Sequence, residues 1–404
     1  MARIIRFACF FSVILLCGAI LAQSAGSDGP KSSPPVPFSP DTWRFIVSGD
    51  SRNCGDIVMP AIAADSLQYR PSFYWHLGDL RAIYKIDEDM EFPAANDGSL
   101  LNCNLYLPRA WPDFIDHQIA PWGNVSFYVG IGNHEVIPPK DAVQFRRQFS
   151  AWLDQKSLHQ QRADDETNQV KDAPARNPQP EEPAPPPTYF HWIQRGVDFI
   201  YLDNSSNSFP GPQMEWLTGV LHRARENKEV KSVVVGMHEA LPHSLSNSHS
   251  MGETPDGTKS GDTVYGMLLE LQKQKPVYVL ASHSHFFLED IFDTPELRAK
   301  GNPLPGWIVG TGGAERYPLP VPSSDKAKQD VYGYLVGTVS AEGKIRFAFQ
   351  EIREPDVPAT VRRDYPASLI HWCFAHNSKN TDPVSGDDTP NCIPPPPKSP
   401  EPKK

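Results

Sequence analysis

The chain reads as an α/β protein built on a largely parallel sheet covered on both faces, and three observations lead there. Strand-like and helix-like segments alternate along most of its 404 residues. The strand-like segments have no polar face, as expected of strands buried on both sides. They end in carboxylate, amide or imidazole side chains, at the carboxyl edge where open α/β sheets bind ligands.

Taken in order, Trp43 to Gly49 is an apolar run that ends at Asp50, and Ile57 to Leu67 follows as a helix. Phe73 to Gly78 is a second strand, ending at Asp79. The stretch 80–122 shows no period and is expected to be an irregular insertion over the strand ends. Ser126 to Gly132 alternates and leads into Asn133-His134-Glu135, and residues 141–153 read as helical. A loop is expected over 160–188, because Asp164 to Pro187 is charged and then proline-rich, with seven prolines among the fourteen residues from Pro174 to Pro187. Val197 to Leu202 ends at Asp203, Gln213 to Glu226 is an amphipathic helix, and Lys231 to Met237 is a Val-rich strand ending at His238. Met267 to Gln274 reads as helix, and the strand Val277 to Ser282 ends in His283-Ser284-His285. Gly306 to Gly312, Tyr332 to Ser340 and Lys344 to Ile352 look like an antiparallel meander. These elements make one domain over 42–353, followed by an extension over 354–404 with a proline-rich tail.

The amino terminus has the order of a secretory signal peptide over 1–22: Arg3 and Arg6, an uncharged apolar run from Phe7 to Ala22, then small polar residues. That run of sixteen residues, with Gly18 inside, falls short of the roughly 20 needed to span a bilayer. A stable membrane anchor is therefore not expected, and the chain reads as exported, periplasmic or secreted. Residues 23–41 form a Ser/Pro/Gly leader expected to be disordered. Losing both arginines with the signal takes the net charge from -10 to -12, and no Lys/Arg cluster offsets it, so a nucleic-acid partner is not expected. Four cysteines remain, an even count that reads as two disulfides in an exported chain. Closing the shortest loops gives Cys54 with Cys103 and Cys373 with Cys392.

Each strand-end residue has an ordinary reading. An Asp there caps a turn, and a single His is usually satisfied by neighbours. Asp203, followed by Asn204-Ser205-Ser206, fits that reading best. Coincidence is a poor account of the whole set, in which Asp50, Asp79, Asn133, His238, His283 and His285 are expected along one edge of one sheet. Carboxylate and amide oxygens combined with imidazoles are ligands for borderline divalent metals, and there are too many for one ion.

In this order the residues resemble the calcineurin-like metallophosphoesterase superfamily, which includes the purple acid phosphatases. Its motifs are an Asp, Gly-Asp, Gly-Asn-His-Asp/Glu, a lone His and Gly-His-x-His. They stand here as Asp50, Gly78-Asp79, Gly132-Asn133-His134-Glu135, His238 and Ser282-His283-Ser284-His285. The resemblance implies a four-layer α/β/β/α sandwich of two mixed sheets flanked by helices. It makes Asp79 the bridge between two divalent metals, zinc, manganese or iron, with Asp50 and His285 on the first and Asn133, His238 and His283 on the second. A metal-bound hydroxide would attack the phosphorus of a small phosphate ester in line, and His134 would protonate the leaving oxygen. Glu135 is expected either to orient His134 or to serve the turn or helix start that follows.

Two departures from the family pattern bear on chemistry. Many members have a His two residues after the first Asp, where this chain has Arg52, and the purple acid phosphatases have a Tyr three residues after the bridging Asp, where it has Ala82. Arg52 cannot ligate a metal, but its planar fork suits a phosphate oxygen, so it is assigned to substrate binding. The first metal is then expected to be short of a protein ligand. Two alternatives stand beside the phosphatase reading: a phosphodiesterase or nucleotidase on the same core, and a catalytically weakened metal- or phosphate-binding protein with Arg52 as its mark.

Overall fold

The computed structural model describes residues 42–96, 98, 100–169, 185–246, 249–379 and 392–393. The expected signal peptide, the leader, the proline-rich stretch up to residue 184 and the tail beyond residue 379, apart from residues 392–393, lie outside the described residues. The strands are β1 (Trp43–Ser48), β2 (Phe73–His76), β3 (Ser126–Val129), β4 (Phe190–Gln194), β5 (Val197–Leu202), β6 (Ser232–Met237), β7 (Val277–Ala281), β8 (Phe287–Glu289), β9 (Gly306–Val309), β10 (Ala327–Lys328), β11 (Tyr332–Val339) and β12 (Ile345–Ile352). They form two mixed sheets, one ordered β12-β11-β1-β2-β3 and the other β10-β8-β9-β7-β6-β5-β4. Within the first, β1, β2 and β3 run parallel; within the second, β5, β6, β7 and β9 do.

The period-2 alternation of side chains sorts the layers. On β1 and β2, Phe45, Phe73 and Trp75 point at the second sheet, meeting Phe199 at 5.0, 5.0 and 6.1 Å between ring centroids. Trp75 also meets Trp192 edge-on at 5.3 Å. The residue between, Tyr74, points outward, where its hydroxyl lies 3.5 Å from the Met59 sulfur of α1 (Gly55–Ser66). On β5, Phe199 and Tyr201 face the inter-sheet core, while Ile200 and Leu202 face outward into a separate apolar cluster. The helices α2 (Glu88–Asn96) and α3 (Cys103–Phe114) follow α1. Next come α4 (Ala142–Gln148), α5 (Ser150–Leu153) and α6 (Lys156–Gln169). The outward cluster of the second sheet is closed by α7 (Gly211–Glu226) and α8 (Pro255–Gln272), through Leu217, Val220, Val264 and Leu268. Each buried ring or branched side chain contributes on the order of 2 kcal/mol.

The structure departs from the sequence expectations in four places. The stretch 80–122 is largely helical rather than irregular, because Pro93, Pro108 and Pro112 sit inside α2 and α3 and hide the helical period. The charged part of the expected loop is helical too, since α6 runs to Gln169. The strand at Gly306 is not part of a meander: β9 lies between β8 and β7, parallel to β7. The disulfides join Cys54 to Cys373 and Cys103 to Cys392, not near neighbours in sequence. Cys54 opens α1, and Cys373 lies in α11 (Ala367–Ala375), the last of three further helices after α9 (Pro295–Lys300) and α10 (Ala359–Asp364), so the carboxyl-terminal segment returns across the amino-terminal helix. No helix among the described residues is long and apolar enough to cross a membrane.

The outer end of β4 is fixed by a buried ion cluster. His191 Nδ1 contacts Asp198 and Nε2 contacts Asp165 of α6, both at 2.8 Å, while Arg223 of α7 contacts Asp165 at 2.9 Å. Burial alone would lower the imidazole pKa, but Asp198 and Asp165 override it and hold His191 at about 9.

Two outcomes follow from these contacts. Peptide mapping without reductant should recover Cys54 linked to Cys373 and Cys103 linked to Cys392. Because the folded His191 pKa lies above its ordinary value of about 6.5, its contribution is complete below that pH and fades as pH rises through about 9. The stability difference between the native chain and His191→Gln, measured by urea unfolding, should therefore shrink from pH 6 to pH 10, by up to about 1.4 kcal/mol per pH unit. A pH-independent difference would show that His191 is not charged in the fold.

Candidate metal centre

The six expected ligands come from the ends of five strands in two sheets, not from one sheet edge. Asp50, Asp79 and Asn133 follow β1, β2 and β3 of the first sheet; His238 follows β6, and His283 and His285 follow β7 of the second. The carboxyl ends of the parallel strands in both sheets meet at this place. Asp203, at the end of β5, is spent on its own turn, accepting from Thr188 and from the Ser205 N–H and hydroxyl.

Backbone contacts between the loops explain the motif glycines. The Asp50 N–H donates to Gly78 O at 2.9 Å and the Ser51 N–H to Asp79 O at 3.0 Å. A Cβ on Gly132 would run into the Asp79 carboxylate, and one on Gly78, whose φ is +104°, would meet Gly132 N at 2.6 Å. Asp50, Asp79 and His283 themselves sit at φ of 57°, 60° and 66°, a left-handed conformation costly for residues with a Cβ and maintained here by the surrounding bonds. Beneath them, the Gly310-Thr311-Gly312-Gly313 turn lies against the Asp50 loop, the Gly312 N–H donating to Gly49 O at 2.9 Å.

The side chains converge as two groups that share Asp79. One is Asp79, His238 and His283, and the other is Asp50, Asp79 and His285. In the first, His238 Nε2 lies 2.9 Å from Asn133 Oδ1, 3.1 Å from His283 Nδ1 and 3.2 Å from Asp79 Oδ1. In the second, His285 Nε2 lies 3.2 Å from Asp50 Oδ1. The tautomers are set from behind, because a carbonyl only accepts: His238 Nδ1–H donates to Leu77 O at 3.1 Å and His285 Nδ1–H to Glu315 O at 2.6 Å. Each Nε2 therefore turns a lone pair toward the carboxylates. Asp50 Oδ1 and Asp79 Oδ2, both fully buried, have no hydrogen-bond donor. Acceptors facing acceptors in a buried site are satisfied by cations, and the donor set of carboxylate, amide and imidazole fits divalent metals.

The charges are arranged accordingly. Burial would raise the Asp79 pKa, but His134, His238 and Arg52 hold it well below the usual carboxylate range. Burial would likewise depress His238, but Asp79 raises it, a measure of how strongly that carboxylate calls for a positive partner. His134 donates through Nδ1 to Ala82 O at 2.6 Å, which leaves its Nε2 3.5 Å from Asp79 Oδ2. Burial and the Arg52 charge push its pKa down to about 4. Arg52 does not pair with Asp56, which binds Arg81; its guanidinium lies 3.0 Å from His285 Nε2 and 3.7 Å from Asp79.

Of the two roles expected for Glu135, the structure shows the one at the turn start. A carbonyl orients His134, not this carboxylate. Glu135 instead accepts from the N–H groups of Asp79, Leu80 and Gly132 at 2.9, 2.9 and 2.8 Å, and so ties the two metal-facing loops of the first sheet together. Three supporting groups went unnoticed in the sequence. Tyr201 donates to Ile131 O at 2.7 Å, His76 contacts Ser51 Oγ at 3.0 Å, and the Asn204 amide oxygen accepts from the His238 N–H at 3.2 Å. Nothing marked Tyr201 or His76, which lie inside apolar strands; Asn204 was visible only as a turn residue after Asp203. Of the loop histidines, His249 lies 5.5 Å from the His283 ring, whereas His243 is held by Asp262 and Glu296.

No family model and no curated protein matches the sequence. Among solved structures, the chain is similar to the purple acid phosphatase PPD1 from yellow lupin (Lupinus luteus) seeds, at 15% identity and a TM-score of 0.46, over 80% of this chain and 56% of that one. It is also similar to PhoD, at 13% identity and a TM-score of 0.43, over 76% and 68%. A third is GAP50, the anchor in the inner membrane complex of Plasmodium, at 14% identity and a TM-score of 0.41, over 77% and 89%.

The geometry of Glu135 makes a discriminating prediction. Glu135→Ala should leave three buried N–H groups unpaired, lowering stability by on the order of 3 kcal/mol and reducing the metal content of the purified protein. Loss of turnover with stability and metal content unchanged would instead return Glu135 to a role on His134.

Proposed function

We propose that the chain is an exported, metal-dependent phosphoesterase acting on small phosphate esters. The observation that carries this reading is the pair of ligand groups sharing Asp79, with the buried Asp50 and Asp79 oxygens left without donors. Asp79 would bridge two divalent ions, with Asp50 and His285 on one and Asn133, His238 and His283 on the other. When bound, such ions lower the pKa of an attacking water and neutralise phosphoryl oxygens.

The chain's own groups divide the remaining work. The Arg52 fork, buried beside His285 and Asp79, would take a phosphate oxygen. His134 presents Nε2 beside Asp79, with its other nitrogen fixed by Ala82 O, so Nε2 is the nitrogen that would carry a proton for the leaving oxygen. Its depressed pKa leaves the ring neutral at pH 7 in the free chain. A phosphate dianion in the cleft opposes the Arg52 charge and favours the protonated form, which then donates to the leaving oxygen. A net charge of -10 and the export signal expected from the sequence fit a small soluble substrate better than a nucleic acid. Phosphate binding without turnover is the competing reading, favoured by the contact of Arg52 with His285.

The test is hydrolysis of a chromogenic phosphomonoester and its matching diester, before and after chelation and on adding back manganese or zinc. Chelation should abolish turnover and metal restore it. His134→Ala should lower kcat by roughly 10²–10⁴-fold with bound metal unchanged. No turnover with any metal, on either ester, would favour the binding protein.

A further inference from the structure

Accepting Asp79 as a metal bridge, the two sites it joins are unequal, and the inequality lies in Arg52. His285 has one lone pair to give, because its Nδ1–H is committed to Glu315 O. That lone pair, on Nε2, is met at 3.0 Å by the Arg52 guanidinium, whose Nε is buried without a hydrogen-bond partner, 3.7 Å from the bridging Asp79. A metal bound by Asp50, Asp79 and His285 needs the same lone pair. In the other site the tautomer of His238 is set in the same way, by Leu77 O, but around its Nε2 stand only Asn133, His283 and Asp79. Among the described residues, no arginine or lysine reaches that position.

We propose that the Arg52 guanidinium competes with the first metal for His285, so that the two metals load in sequence: the Asn133, His238 and His283 site fills first, and the Asp50 and His285 site fills only as Arg52 gives up the imidazole. Arg52 thereby acts as a built-in cation that holds the first site together in the one-metal state. When it leaves His285, the same fork is free for a phosphate oxygen, so metal loading and substrate capture use one side chain.

The experiment is manganese titration of the chelated full chain by calorimetry, with metal content after dialysis as a second readout. The native chain should take up one equivalent tightly and a second at least tenfold more weakly. The first site also has fewer protein ligands, so the deciding variant is Arg52→Ala, which removes the cation and adds no donor. It should narrow the gap between the two affinities by tenfold or more, and Arg52→Gln, closer in length, should do the same. Two equal equivalents in the native chain, or a gap unchanged in both variants, would overturn the competition and leave the dinuclear reading standing. No tight equivalent in any of the three proteins would overturn the metal reading itself, and the competition with it.

Discussion

Asp79 is the constraint around which this protein is built. A carboxylate with no solvent exposure is tolerated only where its charge is answered; one of its oxygens has no hydrogen-bond donor, while the other receives the His134 N–H at 3.1 Å and lies 3.2 Å from His238 Nε2. Everything within reach is arranged around that deficit. Three imidazoles and an arginine point at it or at the neighbouring Asp50 carboxylate, and the loops on either side are pressed together so closely that only glycine fits at Gly132. The left-handed backbones of Asp50, Asp79 and His283 have the same origin. Strain of that kind survives where neighbouring bonds over-determine it, and Glu135 supplies three of those bonds from one carboxylate.

The aromatic core explains how two separate sheets can deliver ligands to one point. Phe45, Phe73 and Trp75 interlock with Trp192 and Phe199, so the sheets cannot slide without breaking ring contacts of 5.0 to 5.3 Å. At the site end the lock becomes polar. Tyr201 of the second sheet donates to Ile131 O in the loop that leads to Asn133, and His238 of the second sheet donates to Leu77 O in the loop that leads to Asp79. The candidate ligand His238 is therefore also a cross-sheet tie, and the nitrogen it turns to Asp79 is aimed by the first sheet.

The strand ends were legible in the sequence because chemistry-bearing residues follow apolar runs directly, and the order of motifs narrowed the chemistry further. What was not legible has physical causes. Periodicity shows that Val-rich segments are strands but not which strands share a sheet, so one edge was expected where two meet. Pro93, Pro108 and Pro112 obscured helices that tertiary packing nonetheless enforces. Sequence proximity is a poor guide to cysteine pairing when the last helix returns to the first, as Cys373 does to Cys54. The turn role of Glu135 was legible, but its reach to the Asp79 and Leu80 amides of the neighbouring loop was hidden, because no side-chain pattern records backbone partners.

Arg52 joins these threads. The family pattern made it a gap, a position where a ligand is missing, and at a gap the chain would simply bind less metal. The structure puts a charge there instead, and a charge does more than a gap. In a buried site with two carboxylates, a guanidinium stabilises the arrangement without metal, whereas a missing ligand would leave the carboxylates to repel each other. Under the proposed loading order, the same side chain would stand in for one ion while the site is empty and turn to a phosphate oxygen once it fills. The difference between the two halves of the centre is thus not in how their histidines are held, since both are fixed by a carbonyl from behind. It is in whether the chain brings its own cation to the lone pair in front.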